Sequence, residues 1–420
     1  MTALQLLLWI NAALLVQIAV GFGVFAWRRR AAAAAPPVPT SAPARSKDKN
    51  SAWPGWRKFR VARRVFEDAA QTQCSFHLEP VDGQALPPFK PGQFLTFAFD
   101  IGAASPRDGG APATVTRCYS LSDRPAPTHY RITVKRVPAP AGQPRLAPGV
   151  ASGHLHDHVH EGDVLDVKAP AGHFFIDPDP ALPAVLVAGG IGITPMMSML
   201  RWCLAEQPGR SLHLFYGVRH RGEHAFKALL EDLAAAHPAL DLHVVYSRPG
   251  PEDVSGRDFR HAGHVDIDLL RRELPHGRHA FYLCGPGALM ETLVPALLAW
   301  GVPPSDLHFE AFGPASVKLP SDVSGAAAAT ESLPPAEFEI AFRRSGRTLV
   351  WDGSDNNLLA MAERHGLQLD SGCRAGSCGT CETRLNSGTV RYAHAPDHDA
   401  APGHCLPCLA LPTSPLVLEA

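Results

Sequence analysis

The chain has 420 residues, 45% hydrophobic and 19% charged, with a formal net charge of −1 at pH 7. Such a composition is globular, and the length suits about three domains. The charge balance excludes nucleic-acid or acidic-surface binding driven by net charge, and forty prolines point to linkers and many turns.

From Thr2 to Trp27 the chain has no charged residue, and Arg28, Arg29 and Arg30 follow at once. A helix needs roughly 20 apolar residues to cross the ~30 Å hydrocarbon layer. A cleavable signal normally carries its positive charge ahead of the apolar run, and none precedes it here. Residues 1–30 are therefore expected to form a single transmembrane helix, with a cleaved signal or an internal helix as the alternatives. The arginines place the body in the cytoplasm by the positive-inside rule. Thiols stay reduced there, which favours a metal site over disulfides for clustered cysteines.

Residues 31–55 are Ala/Pro-rich and read as a tether, and 314–335 read as a second linker. Between them the pattern changes once. Residues 56–178 hold short β-type runs, QFLTFAF, YRITVKRV and DVLDVKA, separated by Pro/Gly turns, as in an antiparallel barrel. Residues 179–313 alternate strand and helix. AVLVAGG leads into a helix from Thr194, SLHLFYGVR precedes EHAFKALLEDLAAA, LDLHVVYS precedes VDIDLLRREL, and HAFYLCGP precedes ALMETLVPALLAW. Repeated units of this kind predict a parallel, doubly wound α/β sheet. Residues 336–420 begin with two strand-like runs, EFEIAFRRSGRTLVWDG, and a helix, NLLAMAERHG, for which Gly366 is a C-cap; this last domain reads as α+β.

In RCYSLSD, Arg117 can neutralise a phosphate, Tyr119 can stack on a flat ring, and Ser120 can hydrogen-bond a ring nitrogen. Gly149 and Ser152 stand just ahead of a short helical segment, where backbone N–H groups make an anion site. The alternating His154, His156, His158 and His160 cannot all share one helix face, and read as surface histidines rather than a metal site. In VAGGIGITPMMSML, Gly189, Gly190 and Gly192 permit a tight strand-to-helix turn, and Pro195 fits a first helical turn. Cys284 ends a parallel strand at the carboxyl edge, where ligands of such sheets bind. Ser247 and Arg248 follow another strand and could meet a 2′-phosphate, which leaves NADH and NADPH both open.

FKPGQFLTF, RCYSLSD and the segment GVASGHLHDHVHEGDVLDVKAPAGHFF together resemble the flavin-binding barrel of the ferredoxin–NADP reductase superfamily, and in particular the reductase portion of flavohaemoglobins. The resemblance implies that Arg117, Tyr119 and Ser120 hold the isoalloxazine and phosphate, and that Gly149 to Ser152 sit on the pyrophosphate. VAGGIGITP and the later CGP, Cys284 to Pro286, resemble that superfamily's nicotinamide-nucleotide site. Thr194, Pro195, Cys284, Gly285 and Pro286 would then line it. HFEAFGPAS is similar to the family's terminal stretch, with Phe312 over the flavin and Glu310 nearby, which implies FAD over FMN. The chain departs from the family at 137–148, VPAPAGQPRLAP, a loop that is normally short.

Two metal readings compete for the C-terminal cysteines. Cys378, Cys381, Cys405 and Cys408 form two C-x2-C pairs, but the gap of 23 residues exceeds zinc-ribbon spacing and leaves Cys373 unused. Cys373–x4–Cys378–x2–Cys381 has plant-type 2Fe–2S spacing. The small residues between these cysteines allow the backbone to wrap a cluster closely. The whole tail resembles a plant-type (β-grasp) ferredoxin domain. By that resemblance Cys408, four residues before Pro412, is the fourth ligand and Cys405 the spare.

The order of domains implies a membrane-tethered reductase that passes electrons from NAD(P)H through a flavin to a 2Fe–2S cluster and on to a partner oxygenase or haem protein, with Ser120, Cys284 and Glu310 at the reacting centre. The alternatives are a zinc-stabilised membrane adaptor and an autonomous flavin or ferric reductase.

Overall fold

The computed structural model describes residues 52–420 apart from 54, 102–113, 140–147, 313–336, 368, 373, 375, 377–378, 393–395 and 397. The expected anchor, most of the 31–55 linker, the 314–335 linker, most of the 137–148 loop, Cys373 and Cys378 lie outside the described residues. Among the described residues no helix is long and apolar enough to cross a membrane.

The first domain is built from β1 (Arg57–Phe66), β2 (Gln73–Pro80), β3 (Phe94–Asp100), β4 (Thr114–Ser120), β5 (Tyr130–Lys135), α1 (Val150–Asp157) and β6 (Val164–Ala171). All strand pairs are antiparallel, in the order β4-β3-β6-β1-β2-β5. The two outer strands meet through a bridge at Leu121 and Ile132, and Ser122 N donates to Arg131 O at 2.8 Å, so the sheet closes into a barrel. Alternation along the strands sends Phe59, Val61, Phe76, Leu78, Leu95 and Phe97 into one apolar core. Ser75 is buried as well, and its hydroxyl is satisfied by Thr133 at 2.8 Å, as a buried polar group requires.

The second domain comprises β7 (Ala184–Gly189), α2 (Ile193–Glu206), β8 (Leu212–Val218), α3 (Lys227–Ala236), β9 (Leu240–Tyr246), β10 (His261–Ala262), α4 (Ile267–Glu273), β11 (Ala280–Pro286), α5 (Gly287–Ala299) and β12 (Leu307–Phe312). Every pairing is parallel, in the order β10-β9-β8-β7-β11-β12. Both faces are covered, so the strands read as continuous apolar runs. Leu186, Leu214 and Tyr216 join α2 in one core. Val185, Val187 and Phe215 face the opposite way, with α4 and α5. The strand order reverses beside β7, which sets a crevice at the carboxyl ends of β7 and β11.

One helix is shorter than its sequence pattern. EHAFKALLEDLAAA becomes helical only at Lys227, because Phe226 is left-handed (φ 58°). Its N–H donates to Glu67 O of the barrel at 3.1 Å, and the Arg131 guanidinium lies 5.0 Å over its ring. A tertiary contact overrides the local pattern.

The third domain holds β13 (Phe338–Phe342), β14 (Arg347–Trp351), α6 (Leu358–Arg364), β15 (Thr383–Ser387), β16 (Val390–Tyr392), β17 (His404–Cys405), β18 (Ala410–Pro412) and β19 (Leu416–Leu418). Its main sheet runs β14-β13-β19-β15-β17, with β13 and β19 parallel inside an otherwise antiparallel order. Asn357 caps α6 by accepting from Ala360 N at 2.8 Å, and Gly366 past its end is left-handed (φ 73°). Ile340, Phe342, Trp351, Met361 and Leu418 form the core.

Candidate functional site

A cavity of about 670 Å³ lies where the three domains meet, within the range of ligand pockets. The barrel contributes Arg117, Tyr119, Ser120, Lys135, Arg136, Gly149 and Ser152; the second domain contributes Ile191, Thr194, Glu310 and Phe312; the third contributes Ser371, Gly372 and Arg374.

On the barrel side, β4 carries Arg117, Tyr119 and Ser120. Arg117 is exposed, Tyr119 is half-buried with its ring edge-on to Phe97 at 5.8 Å, and Ser120 is buried. Gly149 caps α1 in extended geometry. A Cβ on Gly149 would lie 2.7 Å from Ser152 Oγ and 2.9 Å from Val137 Cβ, so only glycine lets this helix start pack so closely. Ser152 Oγ donates to Gly149 O at 3.0 Å and accepts from Val137 N at 3.2 Å. Open N–H groups at a helix start, with Arg117 and Arg136 nearby, suit an anionic phosphate.

His158 and His160 are exposed, as expected, and one histidine of the segment departs from surface placement. His156 is buried, with Nε2 2.9 Å from Val134 O, and burial pushes its imidazole below the usual range. It anchors α1 to β5.

In the crevice, Gly189, Gly190 and Gly192 form the turn between β7 and α2. Gly190 is left-handed (φ 54°), and a Cβ on Gly192 would stand 2.1 Å from Cys284 O. The glycine turn and the Cys284–Gly285–Pro286 strand end are thus packed backbone to backbone. That contact explains why the two motifs occur together. Thr194 Oγ1 donates to Ile191 O at 2.9 Å, and Pro195 is buried in the first turn of α2. Cys284 is fully buried, and burial raises its thiol far above the usual range, with Glu310 adding to the rise. Glu310 stands opposite it in the β11–β12 register. Its Oε2 is sealed from solvent with no hydrogen-bond partner among the described residues, and burial raises its carboxyl to about 7. Ser247 and Arg248 follow β9 and are not among the residues that line the cavity.

In the third domain Cys381 and Cys408 are buried, with their sulfurs 3.1 Å apart. That spacing is beyond an S–S bond of about 2.05 Å. They sit among Leu359, Leu406 and Leu409, whereas Cys405 belongs to the sheet core with Ile340 and Phe342. Burial, and then the charge of Cys381, push the Cys405 thiol up to about 12. Gly376 and Gly379 are left-handed (φ 71° and 73°), and side chains there would strike Leu409 and the His398 ring. Two facing thiols beside two close-packed glycines fit a thiolate-held cluster. Arg374, at the cavity wall, is held by Glu363 at 2.6 and 2.9 Å.

Sequence reasoning missed the seam between barrel and nucleotide domain. Arg201 Nη1 donates to Asp123 Oδ2 at 2.6 Å, Ser198 Oγ donates to Asp123 O at 2.8 Å, and Gln73 Nε2 donates to Glu223 O at 2.9 Å. Lys135 of the cavity pairs with Glu223 at 3.3 Å. No local pattern marks these residues, because their partners lie on other domains.

Residues 186–294 match the family described as oxidoreductase NAD-binding domain, and residues 341–413 match the 2Fe-2S iron-sulfur cluster binding domain. The second match decides against the zinc ribbon. The chain is 38% identical over 273 residues to a flavohemoprotein of Bordetella pertussis and 40% identical over 265 residues to one of Halalkalibacterium halodurans. These alignments take in 64% and 62% of this chain but only 63% and 61% of the relatives' lengths. Among solved structures, the flavohem-like FAD/NAD-binding domain of nitric oxide dioxygenase from Vibrio cholerae is 32% identical, with a TM-score of 0.52. It is covered entirely by 62% of this chain. An intact type IV self-sufficient cytochrome P450 monooxygenase is 25% identical with a TM-score of 0.53, over 87% of this chain and 41% of that one. The chain therefore belongs to the ferredoxin–NADP reductase superfamily, as an oxidoreductase whose flavin- and NAD-binding body is followed by a 2Fe–2S domain.

Proposed function

We propose that this protein is a membrane-tethered NAD(P)H-dependent reductase that delivers electrons through FAD and its 2Fe–2S cluster to a partner oxygenase or haem protein. The observation that carries this reading is the shared cavity, whose wall combines the barrel's Tyr119 and Ser120, the nucleotide domain's Thr194 and Glu310, and the cluster loop's Ser371 to Arg374. A flavin held there would supply the exchange between two-electron hydride transfer and single-electron transfer.

The chain's own residues supply binding and orientation. Arg117, Arg136 and the start of α1 would hold the phosphates, Tyr119 would offer its ring face to the flavin, and Ser120 a hydroxyl at the buried end. The glycine turn and Thr194 seat the nicotinamide against the Cys284 backbone. Phe312 closes the cavity beside Glu310, whose carboxyl sits near its midpoint at neutral pH and can hold or release a proton there. The third-domain loop seals the side toward Cys381 and Cys408, which with Cys373 and Cys378 would hold the cluster.

The uncharged Thr2–Trp27 run followed by three arginines supports a single-pass anchor with the body in the cytoplasm. The P450 relative, whose similarity covers 87% of this chain, supports a haem or oxygenase acceptor.

Anaerobic addition of NADH or NADPH to the purified protein tests the reading. Bleaching of flavin absorbance and then of cluster absorbance is expected. Replacing Tyr119 and Ser120 with alanine should abolish both, and unchanged reduction of the cluster in that variant would overturn the assignment.

A further inference from the structure

At the amino edge of the parallel sheet, opposite the crevice, β8 and β9 place His213, Asp241 and His243 side by side. His213 pairs with Asp241 in register and Phe215 with His243. One donor atom from each residue lies within 4.8 Å of the others. We propose that these three side chains form a binding site for a divalent transition metal ion, with zinc the best match, remote from the cofactors and stabilising the sheet edge.

The donor set of two imidazoles and one carboxylate is typical of zinc. His213 Nδ1 is buried and has no hydrogen-bond partner among the described residues, an arrangement that needs a reason. It lies 3.8 Å from Asp241 Oδ2, which is 2.8 Å from His243 Nε2. Zinc bonds of about 2.0–2.1 Å at the tetrahedral angle separate ligand atoms by about 3.3 Å. The two separations bracket that value, and a swing of the carboxylate from His243 toward His213 moves each toward it.

The surroundings hold the ligands in place. Arg260 Nη1 donates to the other Asp241 oxygen at 2.7 Å. The His243 ring stacks on Phe215 at 4.2 Å, and its Nδ1 is 3.1 Å from His261 Nε2 and 3.9 Å from Glu273. Ser211 Oγ stands 3.4 Å from the far nitrogen of His213. Such outer partners orient metal ligands. The His213 side chain is 8% exposed and His243 is fully buried, while Asp241 is 41% exposed, so an ion can enter from solvent past the carboxylate.

The test is a zinc titration of the full-length holoprotein, followed by diffraction from zinc-soaked crystals with data on both sides of the zinc and iron absorption edges. The expected result is one saturable zinc per chain beyond the iron, with its anomalous peak between His213, Asp241 and His243. Affinity should fall about tenfold or more in His213→Ala and in Asp241→Asn, with iron, sulfide, flavin content and NAD(P)H turnover unchanged. Asp241→Asn, at an exposed side chain, covers the case in which His213→Ala fails to fold. Zinc found only at the cysteines, no saturable zinc, or full affinity in Asp241→Asn would each overturn the proposal.

Discussion

The carboxylate of Asp123 joins two domains: its Oδ2 lies 2.6 Å from Arg201 of the nucleotide domain and 3.6 Å from Arg131 of the barrel. Arg131 is almost fully buried, so removal of the carboxylate leaves a poorly compensated cation inside the seam. Asp123→Ala should destabilise the protein by about 2–3 kcal/mol, at or just below the usual cost of breaking a buried pair. It should also slow flavin reduction by NAD(P)H, because this seam sets the distance between the two cofactor sites. The exposed pair Lys58–Asp166 is the control, and Asp166→Ala should change stability by less than ~1 kcal/mol. Equal effects on denaturation midpoints would refute the distinction.

Gly192 is the tightest point of the nucleotide turn. Its added Cβ would meet Cys284 O at 2.1 Å, whereas at Gly190 there is open space and only a left-handed φ. Gly192→Ala should therefore displace the backbone of β11, cost about 1–3 kcal/mol, and weaken NAD(P)H binding at least tenfold. Gly190→Ala should cost about 1 kcal/mol from backbone strain. Titration of nucleotide into each variant distinguishes a packing clash from a loss of flexibility.

Under the proposed function, Glu310 should give the reaction a pH signature. Burial raises its carboxyl from the ordinary range to about 7. The group is neutral below that value, and the desolvated site disfavours the charged form above it. Its contribution to stability is therefore full at low pH and is lost as pH rises through about 7. In flavin-stripped protein, Glu310→Gln should remove that part of the decline between pH 5 and 8. In holoprotein the same variant should flatten the pH dependence of flavin reduction near neutrality. A wild-type profile retained in Glu310→Gln would assign the titration to another group.

Cys405 and Cys408 are separated by their surroundings rather than by their spacing. Cys408 faces Cys381, while Cys405 is packed in the sheet core. Cys408→Ser should lose most iron and acid-labile sulfide, whereas Cys405→Ala should retain both and lose only packing, about 1 kcal/mol for a small cavity. Iron and sulfide analysis of the two variants decides between them, and cluster loss in Cys405→Ala alone would reverse the assignment.

Much of this organisation was legible in the sequence because its signals are local. Strand alternation, βα repetition, the G-G-x-G turn and the C-x4-C-x2-C run each depend on residues a few positions apart. The linear order of three such patterns identified the superfamily and its cofactors. What the local signals did not show was whatever depends on a partner from another element. The helix expected from Glu223 begins only at Lys227, because Phe226 turns left-handed to meet the barrel. His156 is an anchor and not a surface residue.

Sequence alone thus determined the order of the strand and helix patterns, which follow from backbone periodicity, and the resemblance carried by three motif sets implied the chemistry of each domain. The tertiary structure decided where those parts meet: a cavity walled by three domains, an aspartate shared across a seam, and two buried cysteines distinguished by their neighbours. These relationships join residues tens to hundreds of positions apart, and only packing in three dimensions brings them within reach of one another.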